Sequence, residues 1–214
     1  MVISKLHYIS QGNTPEEHLE NIQKACSSGV ELVQLRLSTV SEKECLKFAK
    51  EAREITAHFQ TRLVINEHYK IAKEVKADGV HLEKTATCPT IVREYLYPWQ
   101  IIGATANTLQ DCETLIEKEI DYISLCPFRS ARTKDNSSVI LGLNGYTAIT
   151  EALKTETPII GVGGITTEDV ASILETGVTG IGVSTEITRD FNTIKTFNQL
   201  LSASLTDEQR YTFK

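Results

Sequence analysis

The stretches P-I-I-G-V-G-G-I-T at residues 158–166 and G-V-T-G-I-G-V-S-T at residues 177–185 decide the fold. In each, a short apolar run ends in small residues and leads into a helical segment, which predicts two buried parallel strands followed by helices. Glycine lets the backbone approach an anion, and free N–H groups at a helix start bind phosphate. The loops after strands seven and eight of an eightfold β/α barrel often bind phosphate. The two turns therefore favour a phosphate site over two ordinary glycine turns.

The rest of the chain repeats this strand–helix unit. Six further apolar runs precede residue 158, each followed by a helical segment or a loop, at a spacing of about 25 residues. Alternation of strands and helices predicts a parallel sheet, and eight repeats predict closure into a single (β/α)8 TIM barrel. An open doubly wound sheet is the alternative, but its N-terminal G-x-G-x-x-G turn is absent. The expected strands cover residues 6–10, 30–37, 62–66, 78–82, 100–104, 121–126, 158–160 and 179–183.

Local patterns mark helix starts and the domain limits. Thr14-Pro15 with Glu17, and Ser41 with Glu44, are spaced as helix N-termini. No linker or change of composition divides the chain, so we expect one barrel domain at residues 1–205 and a C-terminal tail at 206–214. The last helix is expected at about residues 192–203 and a long loop at 129–138, where apolar periodicity is lost.

Composition excludes several classes of function. The chain has 214 residues, of which 41% are hydrophobic, and a net charge of -6 without the basic cluster that nucleic-acid binding needs. Its five cysteines are scattered and lack C-x-x-C spacing, which argues against disulfides or a zinc cluster. No apolar run approaches the length of a membrane span. We therefore expect a cytoplasmic protein without a nucleic-acid or membrane partner.

The expected strand ends carry many groups that bind anions. In a TIM barrel the functional site lies at the C-terminal ends of the strands. Arginines, lysines, hydroxyls and the amides of glycine turns at these ends would suit a ligand with more than one phosphate. The full set of candidate residues at the expected strand ends, which also includes amides, a histidine and two carboxylates, is Gln34, Arg36, Ser38, Asn66, Glu67, His81, Glu83, Lys84, Thr105, Asn107, Arg129, Ser130, Arg132, Thr133, Lys134, Gly163, Gly164, Ser184 and Thr185.

Some of these residues also have a simpler structural interpretation. Arg36 lies on an otherwise apolar strand, which favours a site role over a surface ion pair. His81, inside D-G-V-H-L, is more often a core histidine with satisfied hydrogen bonds than a base. Glu67 is equally consistent with a helix start and with metal binding. Arg132 and Lys134 fit either solvated loop charges or a phosphate clamp over the barrel.

Eight motifs in order resemble one family across nearly the whole chain. They are V-Q-L-R (33–36), L-V-I-N-E (63–67), A-D-G-V-H-L (77–82), I-I-G-A-T (101–105), D-Y-I-S-L-C-P-F (121–128), T-K (133–134), P-I-I-G-V-G-G-I (158–165) and G-I-G-V-S-T (180–185). Together they resemble the thiamine phosphate synthase family, including its thiazole tautomerase relatives. The resemblance implies a TIM barrel that joins 4-amino-2-methyl-5-hydroxymethylpyrimidine diphosphate to thiazole phosphate. Thiamine phosphate forms and pyrophosphate is released with Mg²⁺.

The resemblance also implies roles for individual residues. Gln34, Arg36 and Asn66 would contact the pyrimidine diphosphate, and Thr105 stands where a serine near the pyrimidine is usual. Thr133 and Lys134 match the second half of a T-x-T-K loop, with Lys134 on the pyrophosphate. Arg36 and Lys134 would thus be the catalytic residues. The thiazole phosphate would be bound by three residues at the ends of strands seven and eight, Gly164, Ser184 and Thr185.

The part of the predicted site that would bind the diphosphate departs from the family pattern. Glu67 occupies the place of the first Mg²⁺-binding aspartate, but the second falls on Ala86. Ser38 replaces the lysine of Q-x-R-x-K, and Ala131 replaces the first threonine of T-x-T-K. Glu83 and Lys84 lack the spacing to replace the lost aspartate, whereas Arg129 and Arg132 could replace the lost lysine.

Three functions therefore remain open at the level of sequence. We favour a thiamine-phosphate synthase with a modified diphosphate site, which would need Mg²⁺ and two small phosphorylated substrates. The first alternative is a thiazole tautomerase-like isomerase, although the histidine of that branch falls on Asn107. The second is a non-catalytic regulatory protein that binds thiamine precursors. The oligomeric state is also open, with a homodimer among the states considered.

Overall fold

Eight parallel strands close into a barrel in this computed structural model, which describes residues 2–37, 40–84, 87–129 and 139–211, with side chains to residue 203. Each strand pairs with the next in the chain, and the eighth pairs with the first. This closure confirms the predicted single (β/α)8 TIM barrel. The strands are β1 Leu6–Ile9, β2 Leu32–Leu35, β3 Arg62–Asn66, β4 Gly79–Leu82, β5 Ile101–Ala106, β6 Tyr122–Leu125, β7 Ile159–Val162 and β8 Gly180–Val183.

Helices surround the barrel between successive strands. The Thr14 hydroxyl accepts from the Glu17 N–H, and both bonds of the Ser41–Glu44 capping box form, as their spacing predicts. The helices are α1 Pro15–Ser27, α2 Glu42–His58, α3 Tyr69–Glu74, α4 Pro89–Tyr95, α5 Leu109–Ile116, α6 Gly142–Leu153, α7 Val170–Glu175, α8 Thr185–Arg189 and α9 Thr193–Tyr211, with a 3₁₀ turn at Thr167–Asp169.

One feature of the C-terminal part differs from the sequence prediction. The segment after β8 forms the short helix α8, as the pattern at residues 177–185 predicts. Helix α9 then continues to Tyr211, beyond the end expected near residue 203. Its buried Ile194, Phe197 and Leu201 recur at helical spacing, so packing fixes the first turns of the helix.

The inside of the barrel is filled by side chains rather than open. Leu32, Val64, Ile101, Tyr122 and Ile160 form a closed apolar cluster of inward-facing residues from five strands. Gly103 makes room for this cluster, because a Cβ at that position would lie 1.9 Å from the Tyr122 ring. The larger core lies between the strands and the helices, where the outward residues of each strand pack on apolar helix faces.

Strand alternation then places polar side chains above the apolar cluster. Two residues further along their strands, Gln34, Asn66 and Thr105 follow Leu32, Val64 and Gly103 on the same face. These residues reach the barrel mouth, by which we mean the C-terminal strand ends and the loops that follow them. Strand β2 ends at Leu35, so Arg36 lies one residue beyond it rather than inside it. Among the residues that the structure covers, no helix is long and apolar enough to cross a membrane.

Candidate active site at the barrel mouth

Gln34 and Asn66 form one polar unit at the mouth. Gln34 is only 4% exposed, and its Nε2 donates a hydrogen bond of 2.7 Å to Asn66 Oδ1. Strands β2 and β3 are neighbours in the barrel, which brings these two predicted substrate contacts together. The bond fixes the orientation of both amides, leaving the Gln34 carbonyl oxygen and the Asn66 amide nitrogen as an acceptor and a donor of set geometry.

Arg36 is held at the mouth through both its backbone and its side chain. Its N–H donates to Ser10 Oγ at 3.0 Å, and Ser10 Oγ lies 2.8 Å from His18 Nδ1. Its guanidinium forms an ion pair with Glu83, with 3.6 Å between Nη2 and Oε1. Partial burial lowers the pKa of His18, so the ring is neutral at physiological pH. Ser10 was not singled out from the sequence, and Glu83 was weighed there only as a substitute for the lost Mg²⁺ aspartate. Their contacts with Arg36 were not foreseen, because both cross between strands that are distant in the chain.

Glu83 is also the end of a chain of hydrogen bonds that begins inside the barrel. The Thr105 hydroxyl donates to Glu83 Oε2 at 3.2 Å and lies 2.9 Å from His81 Nε2. Since Thr105 has only one hydroxyl proton, it accepts from His81 Nε2–H. His81 Nδ1 then accepts from the Tyr122 hydroxyl, 3.1 Å away. Burial raises the pKa of Tyr122, which keeps its phenol protonated as a donor.

This chain of bonds decides between the two interpretations of His81. The ring is 3% exposed and both of its nitrogens have partners. It is thus a satisfied core histidine, and it acts on the mouth by fixing the hydroxyl of Thr105. Lys84 is likewise engaged elsewhere, since its Nζ binds Asp111 at 2.8 Å beside the start of α5. In this structure Lys84 thus pairs with a residue of the first turn of α5.

The glycine turn after β7 has the backbone shape expected of an anion loop. Gly163 and Gly164 have φ values of 116° and 69°, in the left-handed region that favours glycine. A Cβ at Gly163 would also lie 2.9 Å from the backbone nitrogen of Phe128. Any other residue at this position would therefore push the turn after β7 away from the loop after β6.

Arg129 and Asp169 hold this turn in place. Arg129 donates to the Gly164 carbonyl at 3.0 Å and to Asp169 Oδ1 at 2.6 Å. Asp169 also accepts from the Thr166 N–H at 2.8 Å. Partial burial acts to raise the pKa of Asp169, but the hydrogen bonds from Thr166 and Arg129 outweigh it and lower the pKa. Arg129 thus braces the turn after β7.

Ser184 and Thr185 sit where β8 passes into α8. Ser184 is half-buried, and its hydroxyl bonds to Gln11 Oε1 at 3.3 Å instead of capping the helix. The Ser184 carbonyl accepts from Thr188, whose hydroxyl is tied to Tyr8 of β1. Thr185 is exposed as the first residue of α8, where the backbone N–H groups have no partner within the helix. The turns after β7 and β8 lie side by side because these strands are paired.

The carboxylates at the mouth fit only a sparse metal site. Glu67 is exposed, has a left-handed φ of 60° and donates its N–H to the His81 carbonyl at 2.7 Å. Within the described residues no three His, Cys, Asp or Glu side chains cluster closely enough to hold a metal. Mg²⁺ commonly binds one or two carboxylates and completes its shell with water and substrate phosphates. Glu67 fits that kind of site, in which a bound diphosphate supplies the other ligands.

Part of the predicted site lies outside the described residues. These positions are Ser130, Arg132, Thr133 and Lys134, together with the departures Ser38, Ala86 and Ala131. The other predicted residues lie at the C-terminal ends of strands β2 to β8 or in the loops that follow them, at one end of the barrel. They define a TIM barrel with two groups of polar residues at its mouth. One group is Arg36 with the Gln34–Asn66 amide pair, and the other is the glycine turn that Arg129 holds in place.

The comparisons identify the family to which this barrel belongs. A family model described as thiamine monophosphate synthase matches residues 6–187. A thiamine-phosphate synthase of Flavobacterium johnsoniae is 39% identical over 188 residues, covering 86% of this chain and 89% of the relative. One from Flavobacterium psychrophilum is 36% identical over 200 residues, covering 92% of this chain and 97% of the relative. The chain belongs to the thiamine monophosphate synthase family.

A solved structure supports the fold independently. The thiamine phosphate pyrophosphorylase from Pyrococcus furiosus superposes with a TM-score of 0.80 at 23% identity, covering 93% of this chain and 96% of that one. At this identity the likeness concerns the barrel itself, and it agrees with the closed sheet described above.

Proposed function

We propose that this protein is a thiamine-phosphate synthase, a transferase that condenses the aminopyrimidine diphosphate with thiazole phosphate and releases pyrophosphate. The observation that carries this proposal is the family match over residues 6–187, which spans every strand of the barrel. The polar groups at the mouth are of the kinds that the two substrates need. Arg36 suits a diphosphate, the Gln34–Asn66 pair suits a polar ring, and the turn at Gly164 suits a second phosphate.

In the proposed reaction the protein holds and neutralises the leaving group. The bond between the pyrimidine methylene and the diphosphate breaks, and its electron pair departs with pyrophosphate. The thiazole nitrogen then donates its lone pair to the resulting carbocation, which forms the new C–N bond. Arg36, with Lys134 as a second proposed cation, stabilises the charge on the departing oxygens. Gln34 and Asn66 orient the pyrimidine, and Thr105 lies beside it, so that the two rings meet in a reactive geometry.

The thiazole phosphate would bind at the turns after β7 and β8. Gly164 offers its backbone, and Ser184 and Thr185 offer hydroxyl and amide donors. Anchoring the thiazole by its phosphate leaves the ring nitrogen to point across the mouth toward Arg36 and Gln34. A phosphate at a helix start is favoured by unpaired N–H groups and by the helix dipole.

We further propose that Glu67 is the protein's carboxylate for Mg²⁺. When bound, the cation would offset part of the negative charge of the diphosphate. Ala86 removes the second carboxylate of the family pattern, so binding would depend on the diphosphate more than usual. We also propose a cytoplasmic location, since all five cysteines are free. A homodimer remains a prediction that light scattering of the purified protein would test.

A two-substrate condensation assay tests the proposed function. Purified protein is incubated with both substrates, with and without Mg²⁺, and thiamine phosphate is measured by chromatography. We expect turnover only when both substrates and Mg²⁺ are present. Absence of product at saturating substrate and metal would refute the proposal. A tautomerase role has less support, because the Asn107 amide is tied to the Cys126 carbonyl and offers no acid or base.

A further inference from the structure

We propose that Glu83 is an internal competitor of the diphosphate: its carboxylate occupies Arg36 in the free protein and is displaced when the diphosphate binds. This proposal rests on the proposed function, because it concerns how tightly the same site binds the diphosphate. The family pattern does not require this role, because Glu83 lies in a segment where the chain departs from that pattern. The proposed binding of Mg²⁺ by Glu67 does not require it either.

The geometry places Glu83 between two residues that the substrate is expected to contact. It is the first residue after β4, and its two carboxylate oxygens face different strands. One is 3.6 Å from Arg36 Nη2, beyond β2, and the other accepts from the Thr105 hydroxyl on β5. Its side chain is 20% exposed and that of Arg36 is 33% exposed, so the pair is partly shielded from water but reachable from the mouth.

A carboxylate and a phosphate compete for the same arginine donors. The guanidinium presents a planar fork that either group can engage in two parallel bonds. A diphosphate that binds Arg36 through Nη2 displaces Glu83 from that nitrogen, and a carboxylate charge then remains close to the diphosphate. Both effects weaken diphosphate binding relative to a site without Glu83. They also favour departure of pyrophosphate after the reaction, because the carboxylate restores the ion pair.

The hydrogen-bond chain from the barrel interior keeps the competing carboxylate in place. The Tyr122 hydroxyl donates to His81, His81 donates to the Thr105 hydroxyl, and that hydroxyl donates its proton to Glu83 Oε2. This bond survives when Arg36 turns toward a diphosphate, since it uses the other carboxylate oxygen. Glu83 therefore remains close to Arg36 during binding and can return to it afterwards.

Glu83→Gln tests the proposal, because the amide oxygen can still accept from Thr105 while the charge is lost. Binding of inorganic pyrophosphate is measured by calorimetry without metal, and we expect a dissociation constant about three- to ten-fold lower than in the unchanged protein. The KM for the pyrimidine diphosphate should fall in parallel. Glu74→Gln removes a carboxylate from the exposed Lys50–Glu74 pair, 3.1 Å long, and should leave pyrophosphate affinity unchanged.

The same measurement in an Arg36→Ala background tests whether Glu83 acts through Arg36. We expect the effect of Glu83→Gln to shrink there, because no guanidinium remains to compete for. An undiminished effect, an unchanged affinity in Glu83→Gln, or a weaker affinity would each overturn the proposal. The titration is repeated with Mg²⁺, and weaker pyrophosphate binding by Glu83→Gln only in that second titration would make Glu83 a metal ligand and would also overturn the proposal. These calorimetric results are independent of turnover, so a protein that binds pyrophosphate but fails to condense the substrates separates the two proposals.

Discussion

At the scale of single residues, the site is built from contacts between strands that are far apart in the chain. The types and positions of Gln34, Arg36 and Asn66 could be predicted from strand-end motifs. Their partners could not, because the Arg36–Glu83 pair depends on the relative height of β2 and β4 in the barrel. The link from His81 to Thr105 likewise depends on the register of β4 with β5.

Gln34→Leu tests the polar unit at the residue scale. The substitution keeps a similar volume but removes the donor to Asn66 Oδ1, leaving a half-buried acceptor without that partner. We expect kcat/KM for the pyrimidine diphosphate to fall about 10- to 100-fold and the unfolding free energy to fall by about 1–3 kcal/mol. Steady-state kinetics and urea unfolding check both. Gln110→Leu on the exposed face of α5 serves as the control, and equal kinetics in the two variants would contradict the assignment.

At the scale of elements, the apolar runs predicted the strands well, but the loops between them needed the structure. The pattern at 158–185 correctly placed β7, β8 and the glycine turn. It did not reveal that Arg129, near the start of the loop after β6, would brace that turn through Asp169. Such a brace joins two loops with no shared periodicity, and only the pairing of β6 with β7 brings them together.

Asp169→Asn tests the brace. The amide weakens the bonds to Arg129 and Thr166, so we expect the KM for thiazole phosphate to rise about three- to ten-fold while that for the pyrimidine diphosphate stays unchanged. Glu168→Gln, on the same 3₁₀ turn, is the matched control. The pKa of Asp169 is lower in the folded protein than in the unfolded chain, so its contribution to the free energy of unfolding is fully present above about pH 4. That contribution is lost as the pH falls through the lower pKa of the folded state. Equal changes in both KM values would argue against a local role.

At the scale of the whole molecule, the barrel interior contains a buried histidine that links folding to pH. His7 Nε2 donates to the Ser4 carbonyl, and its ring packs edge-on against Tyr122 with centroids 5.1 Å apart. Burial lowers the pKa of His7 from 6.5 to about 3. The unfolded chain therefore takes up a proton below pH 6.5 that the folded barrel excludes. Stability from this group is complete above that pH and is lost progressively toward pH 3.

His7→Gln tests this linkage. In the unchanged protein we expect the unfolding free energy to fall by up to about 1.4 kcal/mol per pH unit below pH 6.5 from His7 alone. The glutamine variant keeps a donor for Ser4 but cannot titrate, so its pH dependence should be shallower. Urea unfolding between pH 4 and 7.5, a range of about 3.5 units, checks this. The exposed His58→Gln variant should retain the full slope, and identical slopes in all three proteins would contradict the assignment.

The measurement closest to the central claim is single-turnover condensation by the unchanged protein and by Arg36→Ala, with both products quantified. If the mouth around Arg36 is the active site of a synthase, the unchanged protein will form equal amounts of thiamine phosphate and pyrophosphate. The rate in Arg36→Ala should be lower by about 100-fold, since a cation on the leaving group is lost. Lys47→Ala, which removes an exposed cation on α2, should react like the unchanged protein. A rate in Arg36→Ala equal to that of the unchanged protein would contradict the account.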